Sequence, residues 1–486
     1  MTLVLLLATA CDLSGVEVSD PDADEPSGDT GTSDTGDPSL ADADAVFLGA
    51  PSSATGSAVV GLGDLDGDGL DDLLISAFYG ERACVWYGPV QDGSHLLADG
   101  ACIAGEDVYD FVGYAASRTG DLGGQHGLLV SAIGNDDGGN EAGKVYLFRG
   151  PIGSGLTDAG AASVAWIGEA RGDSAGTAVS PAGDVDGDGE IDLLVGAPGN
   201  DAGGGGAGRV YLLRGPFADG AVTLADAWAT FTGTSTAAPP AFAHGAATGG
   251  DALGNALAAL GDVDGDGFGD VLLGADGTEA AGPGSGAVWL VRGPVAEGDH
   301  PSADADAVLV GPGPAAYAGG TVAGPGDLDG DGLDDLLVSA DGWEGGRVYV
   351  VLGPGPAGES ALDDTVAALA GELAGDVAGW SVAGAGDTDG DGQREVLVGA
   401  PGVDRTGEDA GAVYLVRDAT RGGVLLLGEV GEIWLGEATG DSAGRAVAGA
   451  GDVDGDGLDD MLAGALYNQD GGVFAGKAYL LRGQGP

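Results

Sequence analysis

Acidic phrases of ten residues, G-D-x-D-G-D-G-x-x-D/E, begin at Gly63, Gly183, Gly261, Gly326, Gly386 and Gly451. They are the stretches of this chain best equipped for chemistry. Counted from the first aspartate, acids stand at positions 1, 3, 5 and 9 and glycines at 4 and 6, and residue 7 can add its main-chain carbonyl. The glycines let the chain turn sharply enough for these oxygens to converge. The candidate ligands are Asp64, Asp66, Asp68, Leu70 and Asp72 in the first loop, and Asp184, Asp186, Asp188, Glu190 and Asp192 in the next intact one. They continue as Asp262, Asp264, Asp266, Phe268 and Asp270, then Asp327, Asp329, Asp331, Leu333 and Asp335. Asp387, Asp389, Asp391, Gln393 and Glu395 follow, and Asp452, Asp454, Asp456, Leu458 and Asp460 close the series; each residue at position 7 serves through its carbonyl.

Convergent hard oxygens without Cys or His select calcium over zinc or copper. Magnesium demands a tighter octahedron than so flexible a cage offers. An EF-hand would need its bidentate acid at position 12 and flanking helices, whereas here the last acid is at 9 and apolar β-type runs flank both sides. Six calcium sites are expected, with affinities of roughly 10⁻⁴–10⁻³ M as in extracellular modules. Glu395 in place of Asp at position 9 should be tolerated with a shifted affinity. A worn copy, GDLGGQHG at Gly120, puts Gly123 and Gln125 where acids belong and is two residues shorter, so only Asp121 survives and no metal is expected there.

These loops need elements to hold them. Successive first aspartates, the worn copy included, are 57, 63, 78, 65, 60 and 65 residues apart, a period that signals an array of like units. A small-residue strand precedes each loop (GSAVVGLG, GRAVAGAG) and an apolar run follows it (DLLISA, DLLVGAP). A third phrase (KVYLFRG, RVYLLRG, KAYLLRG) and a weaker fourth (SVAWIG, DAVLVG) complete the unit. Near-continuous apolarity means that both faces of each sheet are buried. Four antiparallel strands repeated seven times describe an all-β, seven-bladed β-propeller. Only six fourth phrases follow a third one; the seventh, DAVFLG at Asp44, stands at the other end, so the N-terminal strand should complete the last blade and remove the exposed edge.

Loop, run and small-residue strand together resemble FG-GAP repeats, the units of the integrin α-subunit N-terminal propeller. The Gly-Ala-Pro itself is readable at Gly196-Ala197-Pro198 and Gly399-Ala400-Pro401. The likeness covers residues 43–486 and departs from the pattern at Phe-Gly, which reads Ala-Gly at Ala175-Gly176 and Ala443-Gly444. It implies a seven-bladed propeller with calcium in the loops joining strands 1 and 2. It does not import integrin function, since no partner subunit, inserted adhesion domain or transmembrane helix is recognisable.

A formal charge of −62 rules against nucleic acid, which needs a basic footprint. Catalysis finds little support either: His95, His126, His244 and His300 are scattered without a paired nucleophile, and the carboxylates are committed to metal. Arg171-Gly172-Asp173-Ser174 spells an adhesion tripeptide, but Thr439-Gly440-Asp441-Ser442 occupies the same repeat position, so Gly-Asp belongs to the repeat.

Residues 1–11, MTLVLLLATAC, are too short an apolar stretch to span a bilayer and are expected to be a signal segment, with Leu7–Cys11 resembling a bacterial lipobox whose Cys11 is lipidated. Residues 12–42, rich in Asp, Ser, Thr, Gly and Pro, should form a disordered acidic spacer holding the propeller of 43–486 off a membrane. Cys84 and Cys102 fall on neighbouring strands of one repeat, where either a disulfide or two buried thiols would fit. In an up-and-down blade the 1–2 loops rim one face and the 2–3 and 4–1 loops the other. That second face offers Tyr79, Arg82, Trp343, Glu344, Arg405 and Tyr467, together with Tyr109, Tyr317, Phe242 and His244, as recognition anchors. The expected protein is a non-catalytic, monomeric calcium-binding propeller at a bacterial cell envelope, recognising a protein or glycan through that face. A pure scaffold and a carbohydrate-active propeller are the alternatives.

Overall fold

The computed structural model describes residues 37–235 and 250–485. The signal segment with Cys11, most of the spacer, and Phe242 and His244 lie outside the described residues.

The run after each intact acidic phrase becomes the second strand of a blade. Asp72–Ala77, Asp192–Ala197, Asp270–Ala275, Asp335–Ala340, Glu395–Ala400 and Asp460–Ala465 are buried at every position. A strand shielded on both sides has no use for polar alternation. Seven sheets result, and in blade I the order runs outward from Thr55–Gly63 through Asp72–Ala77 and Arg82–Trp86 to Ala101–Ala104. The core is not central but lies between blades: Leu194, Val210 and Leu212 of blade III, for instance, pack with Leu273 and Trp289 of blade IV.

The innermost strands explain the small residues before each loop. A Cβ on Gly61 would lie 2.4 Å from the carbonyl oxygen of Gly449, and one on Gly324 would lie 2.4 Å from that of Ala259. Only glycine allows neighbouring first strands to approach so closely. The Ala-Gly that replaces Phe-Gly has a similar cause: Ala175 is fully buried against Gly143 of the preceding blade, where a Cβ on Gly143 would meet the Ala175 oxygen at 2.1 Å.

Six sheets carry a fifth, outer strand that runs parallel and comes from the next blade's 3–4 connection. Gly93–Leu96 of blade I lies beside Ala45–Leu48 of blade VII, and Gly220–Thr223 of blade III beside Val164–Ile167 of blade II. Blades I to VI thus each clasp their predecessor through main-chain hydrogen bonds.

The ring closes as the phrase count predicts. Ala45–Leu48 pairs antiparallel with Lys477–Leu481, with Ala45 opposite Leu480 and Leu48 opposite Lys477. The packed chain starts earlier than residue 43, however, and Asp37–Pro486 form one unit. The Leu435 N–H donates to the Pro38 carbonyl at 3.0 Å, Ser39 bridges Leu435 in parallel, and Leu40 is fully buried. Pro38 and Ser39 stand where a fifth strand stands in other blades, and Leu40–Asp42 repeats the 3₁₀ turn of Leu97–Asp99 and Leu224–Asp226. The shared triplet Leu-Ala-Asp is the signal that extends the unit to Asp37.

Cys84 and Cys102 face each other across Arg82–Trp86 and Ala101–Ala104, with Cα atoms 3.9 Å apart, and their sulfurs are bonded. Of the two arrangements open to them, the structure has the disulfide. Helix is minimal among the described residues, the one α-helical stretch being Leu427–Val430.

Candidate metal centres and the opposite face

Each acidic loop joins the first strand of its blade to the second. In the first loop, Asp64 accepts the N–H groups of Gly67 at 2.6 Å, Asp68 at 3.0 Å and Gly69 at 2.9 Å. Gly67 and Gly69 have φ of +85° and +94°, conformations that a side chain would strain. The Leu70 N–H donates to Asp68 at 2.9 Å. Asp72, fully buried at the start of the second strand, accepts from Leu65 at 2.8 Å and Gly88 at 2.9 Å. Every intact loop but the fifth repeats this wiring in full: in the sixth, Asp452 takes Gly455 at 2.6 Å and Asp460 takes Val453 at 3.0 Å.

The wiring aims carboxylates at a common point. Oxygens of Asp64, Asp66 and Asp72 lie within 4.8 Å of one another, as do those of Asp184, Asp186 and Asp192, of Asp262, Asp264 and Asp270, and of Asp327, Asp329 and Asp335. Oxygens about 2.4 Å from one calcium can be at most about 4.8 Å apart, so the donor set fits that ion. Positions 1, 3 and 9 make the tight triplet. Position 5 accepts the position-7 N–H, as Asp68 does from Leu70 and Asp456 from Leu458, each at 2.9 Å.

The fifth loop differs. Its triplet is Asp387, Asp389 and Asp391, while Glu395 is drawn away to Thr388, taking its N–H and its hydroxyl, each at 2.7 Å. The extra methylene and the hydroxyl at position 2 together divert the carboxylate. In the worn loop, Leu122 N–H donates to the Gln125 carbonyl at 2.8 Å, closing a tight hairpin in which Asp121 bonds to Gly124.

Burial pushes the position-9 carboxyls up, against the pull of their backbone donors and with the aspartates at positions 1, 3 and 5 adding to the rise. Asp72, Asp192 and Asp270 are raised to about 6 and Asp460 to about 7, and Asp335 and Glu395 also rise. Without a cation these sites resist full ionisation, which is the electrostatic setting of a metal centre.

Neighbouring loops also touch. Asp71 donates its N–H to the Asp452 carbonyl at 3.0 Å and accepts the Asp452 N–H at 2.9 Å. Asp459 makes the same pair with Asp387, at 3.0 and 2.7 Å. Cβ atoms on Gly451 and Gly386 would strike those carboxylates at 1.9 and 2.0 Å, which fixes the leading glycine of both phrases.

On the opposite face the expected anchors divide. Arg405 is tied to Asp37 at 2.8 Å and Glu372 at 2.6 Å, and Trp343 packs against the core and against Gly313. Glu344 pairs with Arg347, and Arg82 and Tyr317 are half-buried. Tyr79 and Tyr109 remain exposed, at 48% and 64%. Further rings lie on the same kinds of loop: Phe78 against Tyr79 (4.2 Å between centroids), Phe111 beside Tyr109, and the Tyr467–Phe474 pair at 5.8 Å. Arg445 lies 4.4 Å over Trp380 and 5.6 Å over Tyr467. Phe111 and Phe474 sit in 4–1 and 2–3 loops like the named residues, so position in the repeat could have found them.

Asp173 of the Arg-Gly-Asp triplet is 3% exposed and accepts from the Asn200 amide at 2.8 Å. Asp441 and Asn468 repeat the contact at 2.9 Å, so this aspartate braces a loop. His95 and His300 each bond a carbonyl four residues back and stack on Phe47 and Phe231.

The FG-GAP repeat family model matches residues 175–213, 319–351 and 378–416. These are FG-GAP repeats. Integrin alpha-PS2 of Drosophila melanogaster is 34% identical over 241 residues, covering 47% of this chain and 15% of its own length. Human integrin alpha-IIb is 37% identical over 177 residues, covering 34% and 15%, and Xenopus laevis integrin alpha-4 is 32% identical over 150 residues, covering 29% and 14%. The chain thus matches about one-seventh of the length of these integrin α-subunits. Among solved structures, BBS1N in complex with ARL6DN aligns over 88% of this chain and 93% of its own, at 12% identity and a TM-score of 0.41, a likeness too distant to bear on function. No helix among the described residues is long and apolar enough to cross a membrane.

Proposed function

We propose that this FG-GAP propeller is a non-catalytic recognition module in which calcium braces one face and the other face binds a protein or glycan. The observation that carries this reading is the division of labour between the faces. Converging carboxylates fill the 1–2 loops, while exposed aromatic rings gather on the 2–3 and 4–1 loops of blades VII, I and II. Tyr79, Tyr109 and Phe474 are large, stiff and between 48% and 64% exposed, the properties of anchor residues. In every intact loop but the fifth the acids at positions 1, 3, 5 and 9 and the position-7 carbonyl would hold the ion, in the fifth Asp387, Asp389 and Asp391 would do so, and the ion's role is to cancel carboxylate repulsion and fix the hairpin. Lipidated Cys11 and the acidic spacer would place the module at a bacterial cell envelope, and the clasped ring suits a monomer.

The test is binding of the full chain to arrays of glycans and envelope polysaccharides and to envelope protein extracts, with calcium and with chelator. A ligand whose binding is lost in Tyr79→Ala/Phe474→Ala, with the melting temperature retained, supports the reading. Binding indifferent to those substitutions but lost on changing the acidic face would move the site and refute it.

A further inference from the structure

The six intact loops are not equivalent, because the third strand ends differently from blade to blade. It ends in arginine at Arg214, Arg292, Arg417 and Arg482, but the same place holds Tyr87 in blade I and Leu352 in blade V. Each of these arginines reaches the position-3 aspartate of its own blade's loop. Arg214 Nε is 2.5 Å from Asp186 and its Nη2 is 2.8 Å from Asp188. Arg292 lies 3.5 Å from Asp264 and Arg482 lies 3.1 Å from Asp454, and Arg417 pairs with Asp389. In the first loop, by contrast, Tyr87 turns its hydroxyl to the Ile152 carbonyl at 2.9 Å.

The worn blade is an internal control. Its arginine, Arg149, has no acidic triplet to serve and points instead to Asp219 and the Phe217 carbonyl, each at 2.5 Å. Two further arginines, Arg118 and Arg394, come near the first and fourth intact loops. There they approach the leading glycines, a Cβ on Gly63 lying 3.8 Å from Arg118 Nη1 and one on Gly326 lying 3.1 Å from Arg394 Nε.

We infer that the calcium sites fall into two classes: four carry a built-in counter-cation and bind calcium weakly, and two, the Asp64 and Asp327 loops, lack it and bind tightly. The inference rests on the calcium reading above and adds which residues set the affinities. An arginine bonded to a ligand carboxylate stands about 6 Å from the ion that the carboxylate would hold. A unit charge at that distance from a divalent ion in a water-like dielectric changes affinity roughly tenfold. The same arginine offsets carboxylate repulsion when no metal is present. It therefore trades affinity for metal-free stability.

The experiment is calorimetric titration of calcium into the full chain after chelation and desalting at low ionic strength, with metal-free melting measured alongside. The wild type should take up two ions about tenfold more tightly than the next four. Arg214→Gln/Arg292→Gln/Arg417→Gln/Arg482→Gln should merge the six into the tight class while lowering the metal-free melting temperature. Leu352→Arg works in the opposite sense and does not depend on the quadruple variant folding: it should move one tight site into the weak class. A single affinity class in the wild type, or isotherms untouched by Leu352→Arg, overturns the inference while leaving the calcium reading intact. Absence of any calcium uptake by the wild type overturns both.

Discussion

Withdrawing calcium should cost this fold a large part of its stability. A ligand that binds only the native state stabilises it by RT ln(1 + [L]/Kd). At about 10 mM calcium and a Kd of roughly 10⁻⁴–10⁻³ M, each site contributes about 1.4–2.7 kcal/mol, and six contribute about 8–16 kcal/mol. That is comparable to the whole stability of an ordinary domain. Unfolding entropy near 2.1 cal/mol/K per residue, over about 450 residues, gives roughly 0.95 kcal/mol/K. The melting temperature should then fall by about 9–17 °C when excess chelator replaces calcium, by scanning calorimetry at constant ionic strength. The buried carboxyls give the sum its physical content, since Asp72, Asp192 and Asp270 are fully buried beside two other acids each. A melt that moves by less than about 2 °C would mean that the converged oxygens hold no ion of consequence, and the reading of the loops would fall.

Acidification should stabilise the metal-free protein. Asp72 and Asp460 are raised from 3.8 to about 6 and about 7, so each binds its proton more tightly folded than unfolded. The gain is complete below about pH 4 and is lost as the pH rises through 6 to 7. Melting curves in chelator that climb with pH would contradict this, and saturating calcium should erase the trend. Asp173→Ala should cost about 1–3 kcal/mol through its buried bond to Asn200, read by thermal melting, while Arg-Gly-Asp peptides fail to compete for any ligand. Removing residues up to Gly49 exposes the edge of Lys477–Leu481 and should shift the protein to larger oligomers or aggregate than the full chain forms on size-exclusion chromatography. Replacing both Cys84 and Cys102 by Ser opens a cross-link spanning 18 residues and should cost roughly 3 kcal/mol.

The repeat made the fold legible from its residues alone. Six acidic phrases and one worn copy give the blade count, and the lone DAVFLG at the N-terminus gives the closure, because burial on both faces leaves a strand little freedom in composition. What escaped depends on contacts between units. The start at Asp37 rests on Leu40 filling a position that Leu97 and Leu224 fill elsewhere, and one buried leucine in an acidic stretch reads as spacer until it is aligned with them. The fifth strands, such as Gly93–Leu96 and Gly220–Thr223, are mostly exposed and carry no apolar signal.

At the loops, ligand types and spacing were legible, but their inequality was not. Glu395 leaves the triplet because Thr388 offers a hydroxyl at 2.7 Å, a contact between positions 2 and 9 that a ligand pattern ignores. The arginines lie 28 residues downstream of the position-3 aspartates they meet, at the far end of another strand, and only the register of the second and third strands brings them together. The opposite face behaves likewise. Arg405 looked like an anchor and is held by Asp37, while Phe111 and Phe474 looked unremarkable and pack against Tyr109 and Tyr467. In a repeat, composition fixes what each unit must do to fold; departures from the repeat, at Tyr87, Leu352, Tyr79 and Phe474, are where one blade becomes chemically different from the next.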